Sequence, residues 1–255
     1  MITIKTPAEI AILKEGGKRH ALILSRLSEK IKPGASTQDL ENFAIKLIEE
    51  GGDIAAFLNY TPKGARRPYP AALCVSINNE IVHGIPNETP RILEEGDIVS
   101  LDLGLIHQGL ITDSAVTIPV GKVSKEDKKL ISDCKEALNL GIKVALGSGF
   151  VGDISHAIGE FARSRGYGIC QGLSGHGVGY KVHEDPYVPN EGRKGGDEKL
   201  KPGMVIAIEP MMTLGTDKIV LSKDGYTYKT ADGSNAAHFE HTIAITDGAP
   251  IILTK

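Results

Sequence analysis

The protein has 255 residues, a formal net charge of −3 and 41% hydrophobic residues, the balance of a globular chain long enough for a sizeable core. No basic patch favours nucleic acid as a specific partner, and no apolar run approaches the roughly 18–20 residues of a membrane span. The N-terminus lacks the apolar stretch of a signal peptide, and the three cysteines form no CxxC pair, so we expect a cytoplasmic protein with reduced thiols.

Four helices are predicted in two pairs. The sequence Thr6-Pro7-Ala8-Glu9 is a capping box with proline at the first helical position, and the helix that it opens should end before residues 32–34. A second helix is expected from Ser36 or Thr37 to Gly51. The third should begin after Ser124 and the fourth at Asp153, with Asp153 as its N-cap.

Residues 96–115 are predicted to form an apolar strand, a turn and a second strand. Further strands are predicted over residues 71–77, 81–86, 115–120, 204–208, 218–222, 241–246 and 250–253. Residues 59–70 hold three prolines and are expected to form a loop, and the glycine-rich residues 172–179 are expected to form another.

The order helix, helix, strands occurs twice, which predicts an internal repeat. Gly96 precedes Asp102 by six positions in one apolar segment, and Gly203 precedes Glu209 by six in another. Gly51 and Gly166, which close the second helix of each half, lie 115 positions apart. We therefore expect a single domain, residues 1–255, made of pseudo-twofold halves at about 1–122 and 123–255 with the acids meeting at the axis. Two half-buried strands could also look alike by chance.

Four acids lie in otherwise apolar, strand-like segments, namely Asp102, Asp113, Glu209 and Glu240. Any one of them could bond to neighbouring amides or pair with an arginine. If all four converge, they need counter-charge, because carboxylates at close range cannot all ionise. Together with His176, which is flanked by glycines, they make an oxygen-rich set that suits a pair of manganese, iron(II) or cobalt ions better than structural zinc.

The remaining histidines are harder to assign. His83 and His183 are candidates for a site but could equally lie on the surface. The other five have no acid partner that the sequence can place, and we interpret them as structural: His20, His107, His156, His238 and His241.

The segments around these residues resemble the type I methionine aminopeptidases over essentially the whole chain. The segments that carry the resemblance are residues 74–86, 97–102, 112–113, 175–179, 183–186, 208–211 and 239–242. It implies the pita-bread fold, an α+β arrangement in which two helix-helix-strand halves surround a curved antiparallel sheet. All five metal positions of the family are filled.

The resemblance also implies a role for each residue of the site. Asp102 would chelate one metal ion, Asp113 and Glu240 would bridge both, and His176 and Glu209 would hold the other. A water or hydroxide between the two ions would attack the peptide carbonyl. Glu209 would shuttle the proton to the leaving amine, His183 would hydrogen-bond the oxyanion, and His83 would contact the scissile nitrogen.

The activity implied is removal of the initiator methionine from nascent proteins and peptides when the second residue is small, a step of protein maturation. Tyr60, Tyr69, Cys74 and Tyr226 are expected to form the methionine pocket, and Val182 beside His183 should affect its shape. The two divalent ions would be cobalt, manganese, iron, zinc or nickel, and a monovalent cation near Asn78 is a further expectation. We expect a monomer. Contact with the ribosome is left open by the sequence.

Three other functions compete with this interpretation. An Xaa-Pro aminopeptidase or prolidase shares the fold but usually carries a large domain before the catalytic helices, which here begin at Thr6. A non-catalytic binding protein of the same fold would have lost metal ligands, and none is lost. A two-metal phosphoesterase would want cationic groups for phosphate, and no lysine or arginine interrupts these motifs.

Overall fold

A computed structural model of the protein describes residues 2–255. Its helices are α1 (Pro7–Ser28), α2 (Thr37–Glu50), α3 (Lys125–Val144) and α4 (Val151–Ser164). Among the described residues, no helix combines the length and apolar character that crossing a bilayer requires.

The helix starts follow the capping signals with one exception. The Thr6 hydroxyl accepts from the Glu9 amide, and the Ser124 hydroxyl accepts from the Asp127 amide, as predicted. The prediction for α4 was wrong in register, because Phe150 is the N-cap residue. Asp153 lies in the first turn, where its carboxylate accepts from the Phe150 amide at 2.9 Å.

Residues 2–255 contain fifteen strands, and all of their pairings are antiparallel. In the first half they are β1 (Ile54–Ala55), β2 (Leu73–Ile77), β3 (Glu80–Val82), β4 (Ile98–His107) and β5 (Leu110–Pro119). In the second half they are β6 (Gly168–Ile169), β7 (Ser174–Gly177), β8 (Glu184–Pro189), β9 (Val205–Ile208), β10 (Met211–Thr213), β11 (Ile219–Leu221), β12 (Tyr228–Thr230), β13 (Ala236–His238), β14 (His241–Ala244) and β15 (Ile251–Ile252).

The sequence predicted that the glycine-rich segment is a loop. This is wrong in part, because residues 174–177 form strand β7. This strand lies between β8 and β9 in the five-stranded sheet β15-β14-β9-β7-β8. Its glycines allow the backbones to approach closely, because a Cβ atom at Gly175 would lie 2.4 Å from the Ala207 carbonyl oxygen. His176 is therefore fixed by strand pairing and does not sit on a flexible turn.

The order helix, helix, strands occurs in both halves, as predicted. The N-cap residues of α2 and α4, Ser36 and Phe150, are 114 positions apart. Gly52 and Gly166 show the same spacing and both adopt positive φ just beyond their helices. The glycine equivalent to Gly166 is thus Gly52, one residue after the Gly51 expected from the sequence.

A seam of hydroxyl groups joins the strands of the two halves. The Thr242 hydroxyl accepts from the Asp113 amide at 2.8 Å and donates to the Asp113 carbonyl at 2.7 Å. One step along, the Ser114 hydroxyl donates to the Glu240 carbonyl at 2.8 Å, and the Glu240 amide donates to the Ala115 carbonyl. These bonds hold β5 against β14 and the residue that precedes it, so an acid from each half is brought to the same place.

Candidate metal centre

The acids singled out in the sequence lie on or beside central strands. Asp102 is in β4 opposite Ala115, Asp113 is in the neighbouring strand β5 opposite Gly104, and Glu209 follows β9. Glu240 precedes β14, whose pairing with β9 places His241 opposite Ile208. The sheets of both halves therefore position carboxylates in the same region, between the two halves.

His176 lies among these carboxylates. Its Nε2 is 3.3 Å from Glu209 Oε1 and 3.9 Å from Asp113 Oδ2. Asp113, His176 and Glu240 each offer a ligand atom within 4.8 Å of the others, and all three are buried. Atoms bound to one ion at about 2.0–2.2 Å lie at separations of this order.

The donor set fits divalent cations. Within this group of acids, three buried carboxylate oxygens have no hydrogen-bond partner among the described residues: Asp102 Oδ1, Asp113 Oδ1 and Glu240 Oε1. A buried acceptor without a partner is costly, and a cation removes that cost. The Nδ1 of His176 lies 2.9 Å from the Gly177 carbonyl, so a proton on Nδ1 leaves Nε2 free as a ligand.

The electrostatics of the metal-free site also indicate missing positive charge. Burial raises the pKa of Asp102 to about 7 and that of Glu209 to about 8. Burial and the neighbouring carboxylates raise the pKa values of Asp113 and Glu240 well above their usual range. Burial lowers the pKa of His176 to about 3, which keeps the imidazole neutral. Without cations, protons must take the place of the missing charge.

The carboxylates line a cavity of about 270 Å³. Every site residue predicted from the sequence also lines this cavity. Beyond the five ligand candidates, those residues are His83, His183, Tyr60, Tyr69, Cys74 and Tyr226. Apolar side chains that the sequence did not single out also line it, including Phe57, Leu173 and Met211. These came from separate segments, and no local pattern marked them.

Two further histidines, His83 and His183, line this cavity. The Nδ1 of His183 lies 2.9 Å from the Tyr60 hydroxyl, and its ring meets that of His176 edge-on at 4.5 Å between centroids. His83 adopts a left-handed backbone conformation with φ of 60°, which is unusual for a non-glycine residue. Its carbonyl accepts from the Thr227 hydroxyl at 3.2 Å.

The expected pocket walls pack against one another. The rings of Tyr69 and Tyr226 meet edge-on at 5.1 Å, and Cys74 is buried in the same apolar cluster. The Tyr226 hydroxyl donates to the Arg67 carbonyl, which ties this wall to the loop 59–70. Val182 is buried in the cluster but does not line the cavity, so its influence on the pocket can only be indirect.

The interpretation of His238 as lacking an acid partner was wrong. Its Nε2 lies 3.6 Å from Glu209 Oε2 and 4.0 Å from Glu240 Oε2. The signal available in the sequence was its position two residues before Glu240, but Glu209 is distant in the chain. Likewise His107, also interpreted as unpartnered, lies 2.7 Å from Asp53.

Comparison with known proteins supports the family resemblance that was drawn from the sequence. The model for metallopeptidase family M24 matches residues 11–247. The methionine aminopeptidase of Aquifex aeolicus is 47% identical over 256 residues, covering 100% of this chain and 99% of that one. The crystal structure of methionine aminopeptidase from Thermotoga maritima superposes with a TM-score of 0.95 at 42% identity and covers both chains completely.

A more distant neighbour shares only the fold. The Xaa-Pro dipeptidase from Bacillus anthracis has a TM-score of 0.77 at 23% identity, and the match covers 99% of this chain and 62% of that one.

The fold and the carboxylate-rich centre thus define a metal-dependent peptidase. The chain belongs to metallopeptidase family M24 and, within it, to the methionine aminopeptidases. The resemblance drawn from the sequence and the pita-bread fold that it implied are both confirmed.

Proposed function

We propose that this protein is a methionyl aminopeptidase that removes the initiator methionine from nascent chains and peptides whose second residue is small. The observation that carries this proposal is the convergence of four carboxylates and His176 on a cavity that apolar and aromatic side chains also line. Such a cavity can bind an apolar side chain while the substrate's free α-amine meets the acids. This combination favours cleavage at N-termini.

The five ligand candidates would divide between two divalent cations. Asp102 would serve one ion, His176 and Glu209 the other, and Asp113 and Glu240 both. When bound, the cations generate a nucleophile from water at neutral pH and stabilise developing negative charge. The two ions could be cobalt, manganese, iron, zinc or nickel. Which metal is bound depends on its concentration in the cell as much as on this donor set.

Glu209 is suited to carrying a proton. Burial raises its pKa to about 8 in the metal-free site, and a bound cation would lower that value, so the position of Glu209 in the cavity supports the role. In the proposed reaction it accepts a proton from the attacking water and gives it to the leaving amine. The contact at 3.3 Å between Glu209 Oε1 and His176 Nε2 keeps it beside the other ligands.

His183 would stabilise the oxyanion. If the Tyr60 hydroxyl donates to Nδ1 of His183 across their 2.9 Å contact, the ring proton resides on Nε2. That Nε2–H can then donate to the carbonyl oxygen as it gains charge. His83 would contact the scissile nitrogen or the residue that follows methionine.

The methionine side chain would lie against Tyr60, Tyr69, Cys74 and Tyr226, which line the apolar part of the cavity. A single domain acting as a monomer in the cytoplasm fits this proposal, with nascent chains as substrates and the ribosome as an open question. A monovalent cation near Asn78 belongs to the proposal as well, although the Asn78 carbonyl already accepts a hydrogen bond from the Ala236 amide.

The test is peptide hydrolysis by protein reconstituted with manganese or cobalt. We expect release of methionine from Met-Ala-Ser, much slower release from Met-Lys-Ser, and no turnover of Ala-Pro or a phosphate ester. Chelation should abolish activity and added metal should restore it. Faster turnover of Ala-Pro than of Met-Ala-Ser would instead support a prolidase.

A further inference from the structure

His238 is a buried histidine that lies near two carboxylates but makes no hydrogen bond to either within the described residues. It is 1% exposed, and neither ring nitrogen makes a hydrogen bond within the described residues. An imidazole buried in this way loses the hydrogen bonds that water would provide. A residue in that position therefore needs an interaction that forms in another state of the site.

The backbone of His238 cannot easily move. His238 is the last residue of β13 and pairs with Met211 of β10. Its amide donates to the Thr117 hydroxyl at 2.8 Å, and the same hydroxyl donates to its carbonyl at 2.8 Å. Because the strand and this hydroxyl fix the Cα position, the ring stays directed at the carboxylates.

Glu209 lies between two imidazoles. On one side His176 Nε2 is 3.3 Å from Oε1, and on the other His238 Nε2 is 3.6 Å from Oε2. An ordinary N–H···O bond is about 2.7–3.2 Å long, so a carboxylate shift of less than about 1 Å would close the second contact. The Glu209 backbone is itself held, since the Asn190 amide group donates to its carbonyl at 3.0 Å.

His238 does not line the cavity, whereas Glu209 does. A substrate in the cavity therefore meets Glu209 and not His238. Any effect of His238 on the reaction must act through the carboxylates in front of it.

We propose that His238 is a positioning residue of the metal centre, whose Nε2–H donates to Glu209 and holds that carboxylate in the orientation needed to bind metal. The inference rests on the proposed role of Glu209 as a ligand. The bond forms as cations draw the carboxylates together, and it leaves Oε1 directed toward the ion beside His176.

The experiment is a calorimetric titration of metal-free protein with cobalt(II), together with the visible absorption of the bound cobalt. His238→Leu should weaken the ion associated with Glu209 by roughly 10–100-fold and alter its spectrum, as loss of a bond that orients a ligand typically does. His238→Gln keeps an N–H donor and should recover most of the affinity. His156→Gln, a half-buried histidine of α4 outside the site, is the matched control and should bind as the unmodified protein does.

A double-mutant cycle that combines His238→Leu with Glu209→Gln distinguishes positioning of the Glu209 carboxylate from a general effect on packing. If His238 acts through Glu209, His238→Leu should weaken binding little further once Glu209 is replaced. Full additivity would overturn the proposal, as would unmodified cobalt affinity in a folded His238→Leu protein. X-ray absorption showing two imidazoles on cobalt in the unmodified protein and one in His238→Leu would also overturn it, because His238 would then be a ligand.

The outcome is separable from that of the proposed function. If Met-Ala-Ser is not hydrolysed but His238→Leu still loses cobalt affinity, the activity is wrong and the positioning role stands. If peptide hydrolysis is normal and cobalt binding is unaffected by His238→Leu, the positioning role alone is wrong.

Discussion

At the scale of single residues, the sequence identified side chains that are unusual where they stand. A carboxylate in an apolar strand, such as Asp102 in β4, can be recognised from its immediate neighbours. The proximity of His238 to the site could not be recognised in this way, because the carboxylate that it approaches belongs to Glu209, which is distant in the sequence. The two meet only through the pairing of β10 with β13, which no local pattern predicts.

His183→Ala tests the proposed oxyanion donor. We expect turnover of Met-Ala-Ser to fall by roughly 10²–10³, because one hydrogen bond that strengthens in the transition state is lost. Metal affinity should not change, since His183 is not among the proposed ligands. Steady-state kinetics and calorimetry check both parts, and an unchanged kcat would exclude the role.

At the scale of secondary structure elements, the helices were predicted well because their signals are local. The Thr6–Glu9 capping box opens α1, and apolar periodicity carries it onward. Short strands such as β6 and β13 were not predicted, because two or three residues have no period and form only by pairing with β10. β7 was mistaken for a loop because its glycines, which serve close packing, resemble turn residues.

Gly17→Ala tests how α1 packs on the C-terminal segment. Helix propensity alone predicts stabilisation by up to about 1 kcal/mol. The structure predicts the opposite sign, because a Cβ atom there would lie 2.2 Å from the Leu253 carbonyl oxygen. We expect destabilisation of about 1–3 kcal/mol in urea unfolding.

The exposed Lys18→Ala on the same helix is the control for the Gly17 variant and should change little. A more stable Gly17→Ala protein would contradict the packing of α1 against Leu253.

At the scale of the whole molecule, the buried acids make stability depend on pH and metal together. Glu209 in the folded, metal-free protein keeps its proton up to a pKa of about 8, whereas the unfolded chain loses it near 4.5. The unfolded state then binds fewer protons on this group, so above about pH 7.5 stability should fall as the pH rises toward about 8.5. The buried histidines, such as His176 with a pKa of about 3, oppose this decline near pH 6.5, where the unfolded chain still binds protons on them, and they add little slope above about 7.5.

Thermal unfolding in chelator across this range checks the sign. Excess manganese should remove the decline, because metal binds the deprotonated ligands and stabilises the folded state. A Tm in chelator that rises between about pH 7.5 and about pH 8.5 would contradict the burial of these carboxylates.

The central claim is that one carboxylate from each half bridges a dinuclear centre, Asp113 from β5 and Glu240 from beside β14. The most direct test is the number of metal ions bound per chain by Asp113→Asn, measured by titration of metal-free protein and compared with the unmodified chain. We expect the unmodified chain to bind two ions and Asp113→Asn to bind at most one, with turnover of Met-Ala-Ser abolished. Two ions bound by Asp113→Asn with normal turnover would contradict the claim.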